Sequence, residues 1–519
     1  MSFSGFSLTG SVRRLLVVLG DQLDHDSPLV ADLDLEQDAI LMMEVEEESL
    51  HVATHFQRSV YFLAAMRHFA GWLDQNGHRV EYTCLDDDEN TQSFESEVTR
   101  ALRRLAPDQV EVCRPGSRRV LAQLRRAAGE AGLELTVLED PHFLSSPEDF
   151  ADWARGRKTL TMEYFYREMR KRLGILVDGN GKPEGGSWNY DSENRNALKA
   201  APEAPAPWQP GEDLITDAVM ELVADRLPSL PGRQSPPRWP VTREGALAQL
   251  DRFVAEALPE FGRWQDAMWT GDSLLWHSHL SPALNVKLLN PREVVQAAVD
   301  AYSKGDAPLN SVEGFVRQVI GWREFMRGIY WTQDDSYRDA NNLEAGLPLA
   351  DAYWSGSSPM ACVRESVTPV LEMGYSHHIQ RLMVTGNLAL TAGMDPAAVR
   401  DWYLGMFVDG IDWVTTPNVI GMALYADGGT VATKPYAAGG AYMNRMSNYC
   451  GSCAFNPKKR TGESACPLST LYWDFLIRNR ERFAGNHRMG MMLKNVDRMN
   501  ADTVASITDR AEEVRREIL

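Results

Sequence analysis

Leu15-Leu16-Val17-Val18-Leu19, running directly into Gly20-Asp21-Gln22-Leu23, decides how the first part of the chain folds. Five consecutive apolar residues stopped by a glycine have the length and composition of a buried strand. The alternation continues downstream. Val52–Gln75, Phe94–Leu105 and Arg118–Ala131 have helical periodicity, whereas Val80–Leu85, Gln109–Cys113 and Leu133–Leu138 are short apolar runs. Short strands separated by helices predict a parallel sheet with crossover helices, an α/β domain over residues 1–140. No G-x-G-x-x-G loop follows the first strand, so Gly20-Asp21-Gln22-Leu23 is not an ordinary dinucleotide site.

At 519 residues the chain is too long for a single core, and a second domain is expected. The stretch Ala200–Pro240 carries APEAPAPWQP and LPSLPGRQSPPRWP; proline at this density excludes regular helix, so residues 141–240 read as an interdomain linker. Beyond it, Arg243–Glu256, Pro291–Ser303, Val312–Trp331, Met360–Met373, His377–Thr391 and Pro396–Phe407 have helical periodicity with little β-branched alternation, which makes residues 241–519 a mostly α-helical domain.

No run approaches the ~18 apolar residues of a membrane span. Met1–Val12 is Ser/Gly-rich without a basic region followed by an apolar one, so a soluble, cytoplasmic protein with no membrane partner is expected. The net charge of -19 argues against a nucleic-acid partner, but its distribution matters more than its total. Seven basic residues face three acidic ones between Ala151 and Arg172, and nine face four between Cys450 and Arg498. Such tracts are either solvated helix faces or a basic surface for DNA.

Of six cysteines, three form Cys450-Gly-Ser-Cys453, twelve intervening residues and Cys466-Pro467, while Cys362 stands alone in the same helical domain. In a reducing compartment such a set suits a tetrathiolate metal site, and both zinc and iron–sulfur clusters accept four thiolates. The proline after Cys466 also occurs in ferredoxin-type runs, yet spacing does not choose the metal. Cys84 and Cys113 lie on strand-like segments and need only pack.

More specific motifs follow in order. Phe315-Val316-Arg317-Gln318 precedes Gly321-Trp322-Arg323-Glu324-Phe325, which resembles the W-R-E-F core of the photolyase and cryptochrome family. His279-Leu280-Ser281-Pro282-Ala283-Leu284 is similar to that family's flavin-phosphate pattern T-x-L-S-P-Y-L, with Thr and Tyr replaced. Tyr375-Ser-His377-His378-Ile-Gln-Arg-Leu-Met, Asp401-Trp402-Tyr403, Pro417-Asn418-Val-Ile-Gly-Met and Lys434-Pro435-Tyr436, with the four cysteines, resemble the iron–sulfur bacterial cryptochromes and photolyases, the prokaryotic (6-4) photolyases. The likeness covers nearly the whole chain.

The resemblance implies repair of (6-4) photoproducts in UV-damaged DNA by a monomeric protein holding FAD in the helical domain, a four-iron, four-sulfur cluster, and a 6,7-dimethyl-8-ribityllumazine antenna in the α/β domain. Cys362, Cys450, Cys453 and Cys466 match the cluster ligands. The antenna is expected near Gly20, Asp21, Gln22, Glu44 and Glu48, although Glu44–Glu48 also reads as an acidic surface run. Ser278, Leu280, Ser281, Gln318 and Arg323 match positions around the flavin diphosphate, Asp409 an acceptor and Asn418 a neighbour of the isoalloxazine; Thr415 stands where the family has an acidic or amide side chain near flavin N5. Trp354, Trp402 and Tyr403 match an electron path from the surface, and adjacent helix residues about 100° apart can bridge a buried cofactor and a neighbouring helix. Tyr436 and Tyr442 match the lesion cavity and Arg498 a phosphate or lesion contact. Reversal of a (6-4) lesion needs an electron and a mobile proton; His378 is expected to donate the proton, with His377 as its partner or facing DNA. A blue-light photoreceptor of the same branch and a zinc protein binding nucleic acid are the competing expectations.

Overall fold

The structure, a computed structural model, describes residues 5–517, so the extreme ends of the two expected domains lie outside the described residues. Five strands, β1 (Arg14–Val17), β2 (Ala39–Met43), β3 (Val80–Thr83), β4 (Gln109–Cys113) and β5 (Leu135–Leu138), form one parallel sheet in the order β3-β2-β1-β4-β5. The pleat sorts the side chains: Leu16, Val18, Ile40 and Met42 join the core around the helix Phe56–Gln75, while Leu15, Val17, Ala39, Leu41 and Met43 pack under the helices Phe94–Leu105 and Arg118–Glu130. Helices on both faces bury the sheet, as all-parallel pairing requires.

The α/β architecture and the helical remainder agree with the sequence reading. β2 is new: Ala39-Ile40-Leu41-Met42-Met43 contains one β-branched residue and four good helix formers, and burial on both faces overrides that preference. The proline-rich stretch also departs from expectation, because it contains the helix Leu214–Arg226. Its interior is free of proline between Pro210 and Pro228. Asp213 caps it by accepting from the Ile215 and Thr216 amides, and the Asp213 carboxylate meets His68 Nε2 at 2.8 Å. Val219 and Val223 are fully buried, and the helix packs on Phe56–Gln75.

The helical part is built from segments that include Pro291–Lys304, Ala361–Met373, Pro396–Met406, Pro467–Arg478 and Ala501–Glu517. Besides one at Phe253–Ala257, three π-helical turns interrupt it among the described residues, at Arg317–Arg323, Gln380–Gly386 and Asn418–Ala423. Such turns rotate side chains out of register with their helix, and these three carry Gln318 and Arg323, Arg381, and Asn418. The two halves are joined by polar contacts with little water access. Lys287 Nζ meets Asp140 at 2.6 Å with both side chains buried, the Leu23 amide donates to the Val286 carbonyl, and the Trp413 amide donates to Gly116.

The basic tract Ala151–Arg172 is largely consumed by the fold. Arg155, Arg167, Lys171 and Arg172 pair with Asp152, Glu163, Glu168 and Asp149, and the fully buried Arg170 donates to the carbonyls of Ile175, Leu176 and Trp188.

Glu44 is likewise structural in its contacts. One carboxylate oxygen accepts from Arg67 Nε and the Tyr82 hydroxyl, each at 2.6 Å, and the other accepts from Arg67 Nη2 and the Leu85 amide, each at 2.8 Å. All of its strong acceptor positions are occupied inside the protein, so the structure does not turn it toward a bound antenna. Removing one partner of a buried pair strands the other charge. Glu44→Ala should therefore destabilise the protein by about 3–5 kcal/mol, read from urea unfolding; an unchanged midpoint and slope would rule out this role.

Candidate functional site

The order β3-β2-β1-β4-β5 reverses direction between β1 and β4, and ligands of parallel α/β sheets bind at the carboxyl ends of strands where the order reverses. Gly20, Asp21 and Gln22 follow β1 there, and Gly116 follows β4. Asp21 accepts from the Gly116 amide at 2.9 Å; a Cβ on Gly116 would lie 2.3 Å from that carboxylate oxygen, which reserves the position for glycine. Gln22 Nε2 donates to the Cys113 carbonyl at 2.8 Å and its Oε1 accepts from the Leu19 amide, fastening the two strand ends. Burial, reinforced by Asp140 and Glu48, raises the Asp21 carboxyl against the pull of Lys287. Glu48 stands across the recess, paired with Arg119 and 4.0 Å from Arg58, whose guanidinium lies 4.7 Å from the Phe62 ring centroid. Of the five antenna candidates, Gly20, Asp21, Gln22 and Glu48 share this region and Glu44 does not.

A second assembly lies in the helical half. Ser281 Oγ donates to Asp409 at 2.6 Å, and Arg381 holds the same carboxylate through two bonds of 2.9 and 3.0 Å. Leu280 is buried at the start of the short helix Ser281–Asn285, and Ser278 is half-buried beside it. Gln318 donates to the Gly314 carbonyl and Asn418 to the Val414 carbonyl, while Thr415 is buried. Arg323 faces elsewhere: its guanidinium stands over the rings of Phe143 and Trp413, at 4.2 and 5.0 Å from their centroids, and donates to the Leu284 carbonyl. The structure thus places Arg323 at the seam with the α/β half.

Gly374, at φ +65°, ends the helix Ala361–Met373 and reverses the chain into Tyr375-Ser376-His377-His378. His377 is fully buried and its ring stacks on that of His277, with centroids 4.3 Å apart and planes within 14°. Both ring nitrogens of His377, His277 Nε2, Ser376 Oγ and Gln265 Nε2 are buried without a hydrogen-bond partner. Burial, then the neighbouring histidines and Arg381, holds His377 well below its ordinary value; burial lowers His277 to about 3 and His279 to about 4. His378 differs. The residue is exposed although protein crowds around it, and that enclosure together with Arg381 and Arg195 lowers it to about 4. Arg195 is also within electrostatic reach of Tyr436 and Tyr442, so the three side chains lie in the neighbourhood of one cation. Arg498 stands outside it, exposed at the end of the helix Gly490–Asp497.

Trp402 is 1% exposed and meets the Tyr403 ring edge-on at 5.0 Å; Tyr403 stacks on Phe407 at 5.2 Å, and Arg381 lies 4.1 Å from the Phe407 centroid. Outward, Trp402 touches Tyr353 at 5.0 Å and donates to its carbonyl, while the adjacent Trp354 is 42% exposed. Tyr353 therefore bridges the surface tryptophan and the buried one. Cys362, Cys450, Cys453 and Cys466 line a single small cavity with Met360, Tyr449 and Phe455. Burial, then the other three thiols, pushes Cys362 well up. No three of the His, Cys, Asp or Glu side chains among the described residues are grouped to hold one metal ion.

Residues 16–239 match the family described as deoxyribodipyrimidine photo-lyase-related protein. An Agrobacterium fabrum protein named (6-4) photolyase is 45% identical over 507 residues, 97% of this chain and 99% of that protein. The chain belongs to the photolyase and cryptochrome family. A bacterial class III photolyase from Agrobacterium tumefaciens has the same fold, with a TM-score of 0.57 at 16% identity over 98% of both chains. So does a Synechocystis cryptochrome, with 0.56 at 14% identity over 98% of this chain and 100% of that one.

Photolyase family membership implies FAD, and the helical assembly fits a ligand of that kind. Stranding several buried polar atoms costs about 1–3 kcal/mol each, and the unpartnered atoms of His277, Ser376, His377 and Gln265 sit close to the Arg381–Asp409 pair. A planar, polar ring system would satisfy them. Arg381, His277, Arg195 and Tyr353 were not among the sequence candidates; the repeated histidines of His277-Ser278-His279, beside the flavin-phosphate segment, were the available signal.

The depressed histidines also set a pH dependence. Each is neutral when folded and takes up a proton on unfolding below its ordinary value of 6.5, so their stability is present above pH 6.5 and is lost as pH falls toward 4. His277→Phe keeps a stacking ring without that proton site. Its melting temperature should fall less than that of the wild type between pH 7 and 4, and parallel curves would refute the burial of His277 as a neutral ring.

Proposed function

We propose that this protein is a light-driven DNA photolyase that reverses (6-4) pyrimidine–pyrimidone photoproducts, with a histidine supplying the proton. The near full-length likeness to a protein named (6-4) photolyase supports the class, and the surroundings of Arg195 carry the reading: an exposed histidine and two tyrosines within reach of one cation, adjoining the polar assembly that suits FAD.

Flavin bound beside Arg381 and Asp409 supplies an electron on photoexcitation. The chain's residues do the rest. The Arg381–Asp409 pair and Ser281 fix the polar edge of the site, and the neutral His277–His377 stack offers ring N–H and N groups without adding charge. Tyr436 and Tyr442 present aromatic faces to a base extruded from the duplex, because the lesion must leave the stack to approach. His378 moves a proton from an imidazole nitrogen to the migrating hydroxyl or amino group. In the free protein burial, then Arg381 and Arg195, keep this ring neutral at pH 7; DNA phosphate arriving beside Arg195 offsets that cation and favours the imidazolium.

Trp354, Tyr353, Trp402 and Tyr403 make a contiguous aromatic route toward Arg381, suited to recharging the flavin. Asp21 and Glu48, with Gly20 and Gln22, border the recess suited to a lumazine antenna. Cys362, Cys450, Cys453 and Cys466 suit an iron–sulfur cluster better than a single zinc ion, since they ring one cavity without grouping closely around a point.

Illumination of reduced protein with oligonucleotides bearing either a (6-4) lesion or a cyclobutane dimer, followed by product chromatography, tests the reading: restored bases from the (6-4) substrate are expected, and their absence defeats it. His378→Ala should abolish that product while flavin photoreduction continues. Arg195→Gln should raise the pKa of His378 and carry the alkaline limb of the repair-rate profile to higher pH; a shift downward or none would remove Arg195 from that role. Cys453→Ser should yield insoluble protein or protein lacking iron and broad visible absorbance, and a soluble variant with full iron would contradict ligation.

A further inference from the structure

Arg488, Met491, Lys494, Asn495 and Arg498 recur every three or four residues, and so share one face of the helix Gly490–Asp497 and its flanks. All five are exposed, while Met489, Leu493 and Val496 on the other side are buried and fix the helix's orientation. At 77%, Met491 is the most exposed large apolar side chain among the described residues. Its neighbours are unusual in their charge state. Elsewhere in this region Arg478, Arg480 and Arg482 are neutralised by Asp474, Asp497 and Glu344. Lys494 and Arg498 form no ion pair among the described residues, and Arg488 reaches only the Thr433 hydroxyl. Three uncompensated cations in line on a protein of net charge -19 are a local attraction for a polyanion.

The strip also has a definite place. Arg488 donates to the Thr433 hydroxyl and Asn486 to the Thr433 carbonyl, so the strip starts beside the segment that carries Tyr436 and leads away from it. Resting on the repair reading above, we propose that this face seats duplex DNA, with Met491 inserted as a wedge into the base stack at the gap left by the extruded lesion. Arg488, Lys494 and Arg498 would engage the flanking phosphates. Methionine is among the apolar side chains used to open base steps, and its unbranched thioether adapts to the irregular gap. Such a wedge stabilises the emptied duplex only; a single strand has no stack to prop open.

The test uses dark holoprotein, a duplex carrying one (6-4) lesion with 2-aminopurine opposite it, and the same lesion strand alone. Met491→Ala, at an exposed position, should bind the duplex roughly tenfold more weakly and lose the 2-aminopurine unstacking signal, with single-strand affinity unchanged. The double variant Lys494→Gln/Arg498→Gln should flatten the slope of log K against log salt by about two. Duplex binding by Met491→Ala equal to the wild type, or duplex and single strand weakened alike, would overturn the wedge while leaving the repair reading intact. A wild-type protein with no preference for lesion over undamaged duplex would overturn the repair reading itself, and the wedge with it.

Discussion

The Asp409-Gly410 turn is the constraint on which the arrangement of the two halves depends. The Asp409 carboxylate takes a bidentate grip from Arg381 and a bond from Ser281, its carbonyl accepts from Asn285, and the next carbonyl, of Gly410, accepts from Arg58 on the long helix of the α/β half. Three segments distant in sequence, those of Arg58, Ser281–Asn285 and Arg381, therefore converge on two residues. Because Arg58 also faces Glu48 and lies near Asp21, one buried cation connects the recess at the carboxyl edge of the sheet with the polar assembly of the helical half. Charges so enclosed are costly to misplace, since a partner that moves leaves a bare ion in low dielectric. The carboxyl edge of the sheet and the polar assembly are consequently held in one relation by enclosed charge and hydrogen-bond contacts.

The histidine cluster shows the opposite economy. Four imidazoles, His277, His279, His377 and His378, gather near Arg381, and none of their rings bonds a carboxylate among the described residues. Burial, aided by Arg381 at all but His279, lowers each of them, so the folded protein holds unmet hydrogen-bonding capacity instead of unmet charge. Sites that keep such strain do so where a ligand relieves it. His378 is the most exposed of the four, which makes it the member of the group best able to exchange a proton with something that enters.

Much of this was legible in the amino-acid order and part was not. Leu15–Leu19, Gln109–Cys113 and Phe94–Leu105 could be recognised because burial and periodicity agree there. Ala39–Met43 was not recognised because methionine, leucine and alanine carry no strand signal outside the sheet that buries them. The prolines around Ala200 and Pro240 concealed a helix whose own residues have none. Glu44 and Glu48 sit four apart in an acidic run; only the fold turns one into an ion pair with Arg67 and leaves the other on a recess. At the site, Trp402, Tyr403 and the cysteine spacing announce themselves locally. The His277–His377 stack spans 100 positions and the Arg381–Asp409 pair 28, and neither leaves a local pattern.

The cysteine cavity is tied to the same histidines by a short mechanical link. Tyr449, which lines that cavity next to Cys450, accepts from Gln380 Nε2 at 3.2 Å, and Gln380 Oε1 in turn accepts from the His377 amide at 3.2 Å. Four thiols so close in a buried site resist ionising together, as the raised Cys362 shows, and a positive centre between them would remove that repulsion and draw the loop Tyr449–Cys466 against the helix Ala361–Met373. That loop leads into Pro467–Arg478, and Gly440, on the segment just after Tyr436, approaches Cys466 too closely for a side chain. The cysteine cavity is thereby connected to His377 on one side, through Tyr449 and Gln380, and to the segment after Tyr436 on the other, through Gly440.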